Sequence, residues 1–319
     1  MDCSILLATR DRASSLDRTL ASIAAQTANG IRWEVLVADN GSADDTPTVL
    51  QHWAGRVPLR WAVETEPGKN RALNRILGMA EGRLLIFTDD DVVVAPGWIE
   101  SHCAAAARWP SCDILAGVIR PRFPAGAPAW TGHEPFRSVL FAAYEHEGDE
   151  GPIEHLPFGP NYAIRSLALG AETFDGRVGP NGSEYAMGGE TELLRRLRAR
   201  GAQTAYVPGA VVEHVIRREQ LREEFVVARA ARFGRGLVRL GDVEWSPHRL
   251  FGVPRYLVRE LAEAWLRRAG AQLRGSTLDR LRAEFVYHTV LGSMSECRDS
   301  GWPLPPANAA FAPIPEMIA

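Results

Sequence analysis

The chain has 319 residues, 46% hydrophobic and 24% charged, the proportions of an ordinary globular protein with ample apolar material for a core. A formal net charge of −3 argues against a general nucleic-acid binder, which carries a basic excess, and no apolar stretch approaches the length of a membrane span. The N-terminus enters a strand almost at once, without a basic segment leading into a long apolar one, which predicts a cytoplasmic protein.

Ser4 to Thr9 and Trp33 to Asp39 are nearly continuous apolar runs, as expected of strands covered on both faces in a parallel sheet. Between them Leu16, Leu20, Ile23 and Ala24 recur at helical spacing, so Ser15 to Gln26 reads as the crossover that a parallel pair requires. The alternation continues with a helix from Asp44 or Asp45 to Trp53, a strand at Leu59 to Glu64, a helix at Lys69 to Ala80 and a strand running into Asp89. Beyond it the sequence predicts a helix at Trp98 to Arg108, a strand at Ile114 to Ile119, and a Pro/Gly-rich loop from Pro121 to Pro135. A strand at Asn161 to Arg165 and a glycine-rich segment follow, then a helix at Glu190 to Arg200 and two strands, Thr204 to Val207 and Val211 to Val215. Past His214 the pattern becomes helical and Arg-rich, which places a boundary near Arg217 and predicts a domain at 1–216 and a helical extension at 217–319. The tail from Trp302, rich in Pro and Ala, reads as loosely ordered. Cys3, Cys103, Cys112 and Cys297 have no metal-type spacing and read as reduced and structural.

Three strand ends are polar: Thr9-Arg10-Asp11, Asp39-Asn40-Gly41-Ser42 and Asp89-Asp90-Asp91. Ligands of open α/β sheets collect at such ends, and together these describe a nucleotide pocket. Residues two apart in an extended segment point the same way, so Asp89 and Asp91 could share one hard divalent ion, whereas an acidic turn capping the next helix is the plainer alternative. Asp39 could accept from a base N–H or simply form a turn, and Lys69 and Arg71, entering a helix, suit a diphosphate or form a solvated face. Glu190, Leu193, Leu194 and Leu197 fall on one helical stripe, which turns Glu190 inward, while the alternative is a carboxylate that only complements the helix dipole.

The run SILLATRDRASSLDRTLASIAAQ, then WEVLVADNGSADDT, then GKNRALNRILGMAEGRLLIFTDDD resembles the opening of family 2 glycosyltransferases, inverting sugar-nucleotide enzymes. The likeness continues through Gly159-Pro160-Asn161-Tyr162-Ala163, GGETELLRRLRARG and YVPGAVVEHV, and so covers residues 3 to 216. It implies a GT-A fold: a Rossmann-like α/β domain with a mixed, mostly parallel sheet flanked by helices, here with a C-terminal helical extension. It further implies donor-nucleotide contacts from Thr9, Arg10, Asp39, Asn40, Lys69, Arg71, Asp89 and Asp90. Asp89, Asp91 and His214 would be ligands for Mn²⁺ or Mg²⁺, and Asn161 and Glu192 residues on the sugar or acceptor side. The family places a Glu-Asp pair where this chain has Gly189-Glu190-Thr191, so Glu190 is preferred as general base, with Glu192 and Glu184 behind it. The implied partners are a nucleoside-diphosphate sugar, by family habit a UDP-sugar, and a glycan or lipid-linked acceptor of cell-envelope polysaccharide or glycolipid synthesis.

Two other functions fit the same elements. A sugar nucleotidyltransferase would need a glycine-rich phosphate loop after the first strand, where this chain has Thr9-Arg10-Asp11-Arg12, and a non-catalytic sugar-nucleotide or glycan-binding protein is suggested by the altered Glu-Asp pair. In the C-terminal region Arg222, Arg229, Arg232, Arg235 and Arg239 recur at helical intervals, which suits peripheral contact with the inner face of a membrane or a charged face interleaved with Glu223 and Glu224. Tyr256 to Leu273 and Leu278 to Leu291 read as further amphipathic helices that could also pair two copies of the chain.

Overall fold

The computed structural model describes residues 1–182, 185–244 and 246–299. Glu184 and the tail from Trp302 lie outside the described residues. The chain divides into two compact units, the first built from 1–123, 142–176 and 189–216, the second from 124–141, 177–188 and the residues from 217 onward. The last segment of the first unit ends at Ile216, and the inner segments 124–141 and 177–188 belong with the C-terminal unit, so this division is not a single cut along the chain.

In the first unit the opening elements are β1 (Cys3–Thr9), α1 (Ala13–Ala24), β2 (Trp33–Asp39), α2 (Thr46–Ala54), β3 (Leu59–Val63), α3 (Lys69–Leu77) and β4 (Leu84–Thr88). They are followed by β5 (Val92–Val94), α4 (Trp98–Arg108), β6 (Cys112–Arg122), β7 (Gly151–Ile153), β8 (Asn161–Arg165), α5 (Ser166–Leu169), α6 (Gly189–Ala199) and β9 (Gln203–Val215). All nine strands form one mixed sheet in the order β3-β2-β1-β4-β8-β6-β9-β5, with β7 also on β9. The pairs β1–β2, β1–β4, β2–β3 and β6–β9 are parallel, and β8 runs antiparallel to both β4 and β6.

The continuous apolar runs explain the layering, because alternate side chains of a strand face opposite sides. Ile5, Leu7, Val35, Val37 and Ile86 pack with Leu16, Leu20 and Ile23 of α1 in one core cluster. Leu6, Leu36, Leu85 and Phe87 pack with Ala72, Leu73 and Ile76 of α3, and with Leu193, Leu194 and Leu197 of α6, in the other. Parallel register sets Thr9 beside Asp39, so the polar loops after β1, β2 and β4 emerge side by side at one edge of the sheet.

Two expectations change. The strands drawn at 204–207 and 211–215 are one strand, β9, in which residues 208–210 fall out of register with β6 between Gly117 and Val118. Pro208-Gly209 ended the apolar pattern without ending the strand, because a bulge absorbs the missing donor. The short strands β5 and β7 were not foreseen, being only three residues each.

The second unit holds α7 (Glu223–Arg239), a tight hairpin of β10 (Arg249–Leu250) and β11 (Val253–Pro254), α8 (Arg255–Arg274) and α9 (Thr277–Asp299). Helices α7 and α9 cross at near-backbone contact. A Cβ on Gly234 would fall 1.9 Å from the Thr289 carbonyl oxygen, and one on Gly292 would fall 2.0 Å from that of Ala231. The Pro/Gly-rich stretch expected to be a loop from Pro121 to Pro135 holds a single turn at Ala129–Gly132; just after it comes another at Phe136–Leu140, whose buried Phe136 meets Phe285 of α9 edge-on at 5.9 Å. All four cysteines are free thiols.

Candidate functional site

The strand β4 ends in three aspartates whose charges are matched from within the first unit. Arg12, just before α1, donates to Asp90 at 3.1 Å and to Asp91 at 2.6 Å through one guanidinium nitrogen. Lys69, the first residue of α3, is ion-paired with Asp89. His214 on β9 stands 3.5 Å from Asp91, placed there because β5 pairs Val92 with His214. Burial pushes the Asp91 carboxyl up, but His214 and Arg12 together outweigh it and hold the group well below the usual carboxylate range. Burial dominates at Asp90 and pushes its carboxyl up, against the nearby guanidinium. Burial also works against the Lys69 ammonium, yet Asp89 and Glu190 overcome it and hold the amine above its ordinary value.

Glu190 lies near the start of α6. It shares a pocket with Lys69, Asn70, Thr88, Asp89, Gly159, Tyr162 and Phe174, and its Oε1 accepts the Gly159 N–H at 3.2 Å. Leu193, Leu194 and Leu197 on the same helix are fully buried, so the stripe that aimed Glu190 inward is present. The glycine before it has a steric reason. A Cβ at Gly189 would lie 2.5 Å from the Asn70 amide nitrogen, and Asn70 is itself buried and held to the Asp175 carbonyl at 2.8 Å. A larger residue at 189 would therefore have to displace the Asn70 amide.

The other residues singled out divide by what their side chains touch. Asp39 is buried and accepts the Ser42 N–H at 2.9 Å, closing the turn after β2. Asn40 braces three backbone groups, donating to the Glu64 and Glu66 carbonyls and accepting from Gly68 N–H at 2.7 Å, so its side chain shapes the loop instead of facing a nucleotide. Thr9 is buried at the end of β1. Arg10 is half-exposed beside Asp11, and Arg71 is ion-paired with exposed Glu66, so neither reaches the aspartates. Asn161, expected on the sugar side, is fully buried: its oxygen takes Trp98 Nε1 at 2.9 Å and lies 3.0 Å from His102 Nε2. Its amide donates to the Val118 and Ala210 carbonyls at 2.8 Å. It ties α4, β6 and β9 together and has no atom left for a ligand. Glu192 is held by Arg196 one turn along α6 and does not line the pocket.

Sequence reasoning missed Arg12 and chose Arg10. Asp11 adopts a positive φ of 50°, held by Ser42 and by the Ala43 N–H, and this turn sends Arg12 to the acids while Arg10 stays at the surface. The signal was the unmatched charge of the Asp89–Asp91 run, which required a buried cation without saying which one. The backbone N–H of Gly159 and the Tyr162 ring were missed because neither belongs to a charged motif.

Among the described residues no cluster of three His, Cys, Asp or Glu side chains is arranged to hold a metal ion. Asp91 and His214 form a two-ligand face of oxygen and imidazole nitrogen, which fits Mn²⁺ when further ligands come from water and phosphate. Asp89 is turned toward Lys69 and is not part of that face.

Comparison with known proteins bears on the fold and the family. Over 93% of the chain the structure is similar to a mannosyltransferase of Pyrobaculum calidifontis solved with GDP-Man and Mn²⁺, with a TM-score of 0.62, 18% identity and 87% of that chain covered. It is similar also to Staphylococcus aureus TarS 1-349 in complex with UDP-GlcNAc, with a TM-score of 0.53, 15% identity and 92% and 91% of the two chains covered. The fold is thus GT-A. In sequence it is 32% identical to the N-acetylglucosaminyl-diphospho-decaprenol L-rhamnosyltransferase of Mycobacterium tuberculosis over 62% of this chain and 71% of that protein. It is 35% identical to the validoxylamine A glucosyltransferase of Streptomyces hygroscopicus over 36% of this chain, although the match spans only 28% of that longer protein. Residues 4–166 match the model of Glycosyl transferase family 2, and the chain belongs to that family.

Proposed function

We propose that the protein is a metal-dependent inverting glycosyltransferase that moves a sugar from a nucleoside-diphosphate sugar to an acceptor hydroxyl. The observation that carries this reading is that Glu190, Asp89 and Lys69 line one pocket, Lys69 feeling both acids, while Asp91, two residues on from Asp89, is paired with His214. The Glu190 carboxylate takes the proton of the acceptor hydroxyl. The freed oxygen attacks the anomeric carbon, a new C–O bond forms with inversion, and the bond to phosphate breaks with its electron pair leaving on the nucleoside diphosphate. Asp91 and His214 would hold Mn²⁺ or Mg²⁺, which supplies Lewis-acid stabilisation of the departing diphosphate. Arg12 and Lys69 are the cations within reach of the same phosphates, and Asp39 at the end of β2 edges the base pocket.

The donor is a UDP-, GDP- or dTDP-sugar, with UDP the family expectation, and the acceptor a glycan or lipid-linked sugar of envelope or glycolipid synthesis, as the rhamnosyltransferase relative's name suggests. The test is nucleoside diphosphate release from a panel of these donors with Mn²⁺, Mg²⁺ or chelator, for the wild type and Asp91→Ala. Release that needs metal and disappears in the variant supports the proposal and names the donor. Release unaffected by chelator overturns the metal role, and nucleotide binding without turnover of any donor, across a range of sugar acceptors, favours a binding protein.

A further inference from the structure

Two arginine-rich helices of the second unit differ in what their cations meet. On α7, Arg235 is paired with Glu296 and Asp299, Arg239 is paired with Glu296, and Arg229 donates to the Val139 carbonyl. That basic stripe, which the sequence put forward for membrane contact, is largely committed inside its own unit. On α8 Arg268 is likewise held by Glu284, at 2.7 Å, but Arg255, Arg259, Arg267 and Arg274 are exposed. The helix carries five arginines against two glutamates. Its inner face is fixed by Leu257 and Ala264, both buried, while Trp265, Leu266 and Leu273 are 53%, 63% and 83% exposed.

These three share one stripe with Ala262 and Ala269, since the positions recur at three- and four-residue spacing on the side away from Leu257 and Ala264. Arg259, Arg267 and Arg274 run along its flank. Arg259 makes only an exposed pair with Glu263 at 3.7 Å, and among the described residues Arg267 and Arg274 have no carboxylate within ion-pair distance. Directly before the helix the β10–β11 hairpin adds Phe251, 74% exposed, between exposed Arg249 and Arg255. No helix of the described residues is long and apolar enough to cross a membrane. A single isolated leucine on a surface needs no explanation, but an apolar stripe with Trp and Leu edged by exposed arginines does.

We infer that the outer face of α8 is an in-plane docking surface for an anionic lipid bilayer, with Trp265, Leu266 and Leu273 entering the headgroup boundary and Arg259, Arg267 and Arg274 meeting lipid phosphates. Such a helix combines buried apolar area with attraction to negative headgroups, and both parts are present here. A second copy of the chain is a poorer occupant, because two-fold pairing of α8 would bring arginine flanks against each other. The surface stands whichever sugar and acceptor the catalytic unit takes.

The test uses the full chain and co-sedimentation with vesicles of phosphatidylcholine alone and with phosphatidylglycerol added. The wild type binds the anionic vesicles, releases as salt is raised, and leaves the neutral ones largely in solution. Replacing Trp265, Leu266 and Leu273 together by Ser lowers partition by more than roughly tenfold at an unchanged melting temperature, since all three side chains are exposed. Arg259→Gln, Arg267→Gln and Arg274→Gln together weaken binding to the anionic vesicles alone. Absence of wild-type binding at low salt, equal partition of the Ser variant, or a solution dimer that the Ser variant splits would each overturn the inference.

Discussion

The carboxyl end of β4 and the outer face of α8 both carry dense charge of one sign, and the protein treats them in opposite ways. At β4 two buried carboxylates, Asp90 and Asp91, and the half-buried Asp89 meet a guanidinium, an ammonium and an imidazole drawn from α1's approach, α3 and β9. On α8 Arg268 is held by Glu284, while Arg255, Arg259, Arg267 and Arg274 are exposed to solvent. Charge taken out of water must be paired within the fold, because leaving it alone costs several kcal/mol. Charge at the surface carries no such obligation and is available to a partner. The first region is therefore balanced within the fold, so on the proposed function ligand entry there is an exchange of partners; the second has exposed charge with little built-in counterpart.

Variants that unbalance the β4 end should have the largest effects. Asp91→Ala removes the acid that joins Arg12 and His214, and donor turnover should fall by about a thousandfold or more. Glu190→Gln keeps the shape of the pocket and removes the proton acceptor, with an expected loss of about 10²- to 10⁴-fold in kcat.

Arg12→Met tests the exchange itself. Without metal it leaves Asp90 and Asp91 without their guanidinium and should lower stability by about 3 kcal/mol, less if the part-exposed site admits water. Added Mn²⁺ should then raise the melting temperature of the variant more than that of the wild type. An equal shift in both would mean that the guanidinium and the metal do not compete.

The same logic applies in the first unit's core, where His102 is buried beside Asn161 with its Nδ1 unpartnered. Burial pushes its pKa down to about 4, from 6.5. The unfolded chain then binds the extra proton first, so stability is full above about pH 6.5 and is lost as pH falls toward 4, by about 3 kcal/mol in all. His102→Phe should flatten that slope in urea unfolding curves measured across the window. In the second unit, Gly292→Ala inserts a methyl where the Ala231 carbonyl already sits and should cost about 1–3 kcal/mol by thermal melts.

The sequence was most legible where chemistry and periodicity coincide. The apolar runs of β1, β2 and β4 named both core faces, and the Glu190–Leu197 stripe turned inward a carboxylate that lines the pocket. It was least legible for polar side chains that serve the backbone. Asn161 and Asn40 look like ligand-binding residues in a motif, yet each has its hydrogen-bonding atoms filled by main-chain groups and neighbours distant in sequence. Arg12 was hidden for a related reason, since a positive φ at Asp11 decides which arginine faces the acids. The two basic helices show the same limit: arginines at helical intervals mark an amphipathic helix, but Glu296 and Asp299, some sixty residues on from Arg235, decide whether those arginines remain available.

The central claim is that Glu190 acts on the acceptor while the β4 end binds the donor. It is tested most directly by measuring donor-nucleotide affinity by calorimetry and turnover on the same preparations of wild type and Glu190→Gln. The account predicts that the variant binds nucleoside diphosphate and Mn²⁺ within about threefold of the wild type while turnover falls at least a hundredfold. Unchanged turnover in Glu190→Gln, or loss of nucleotide binding with it, would contradict the account.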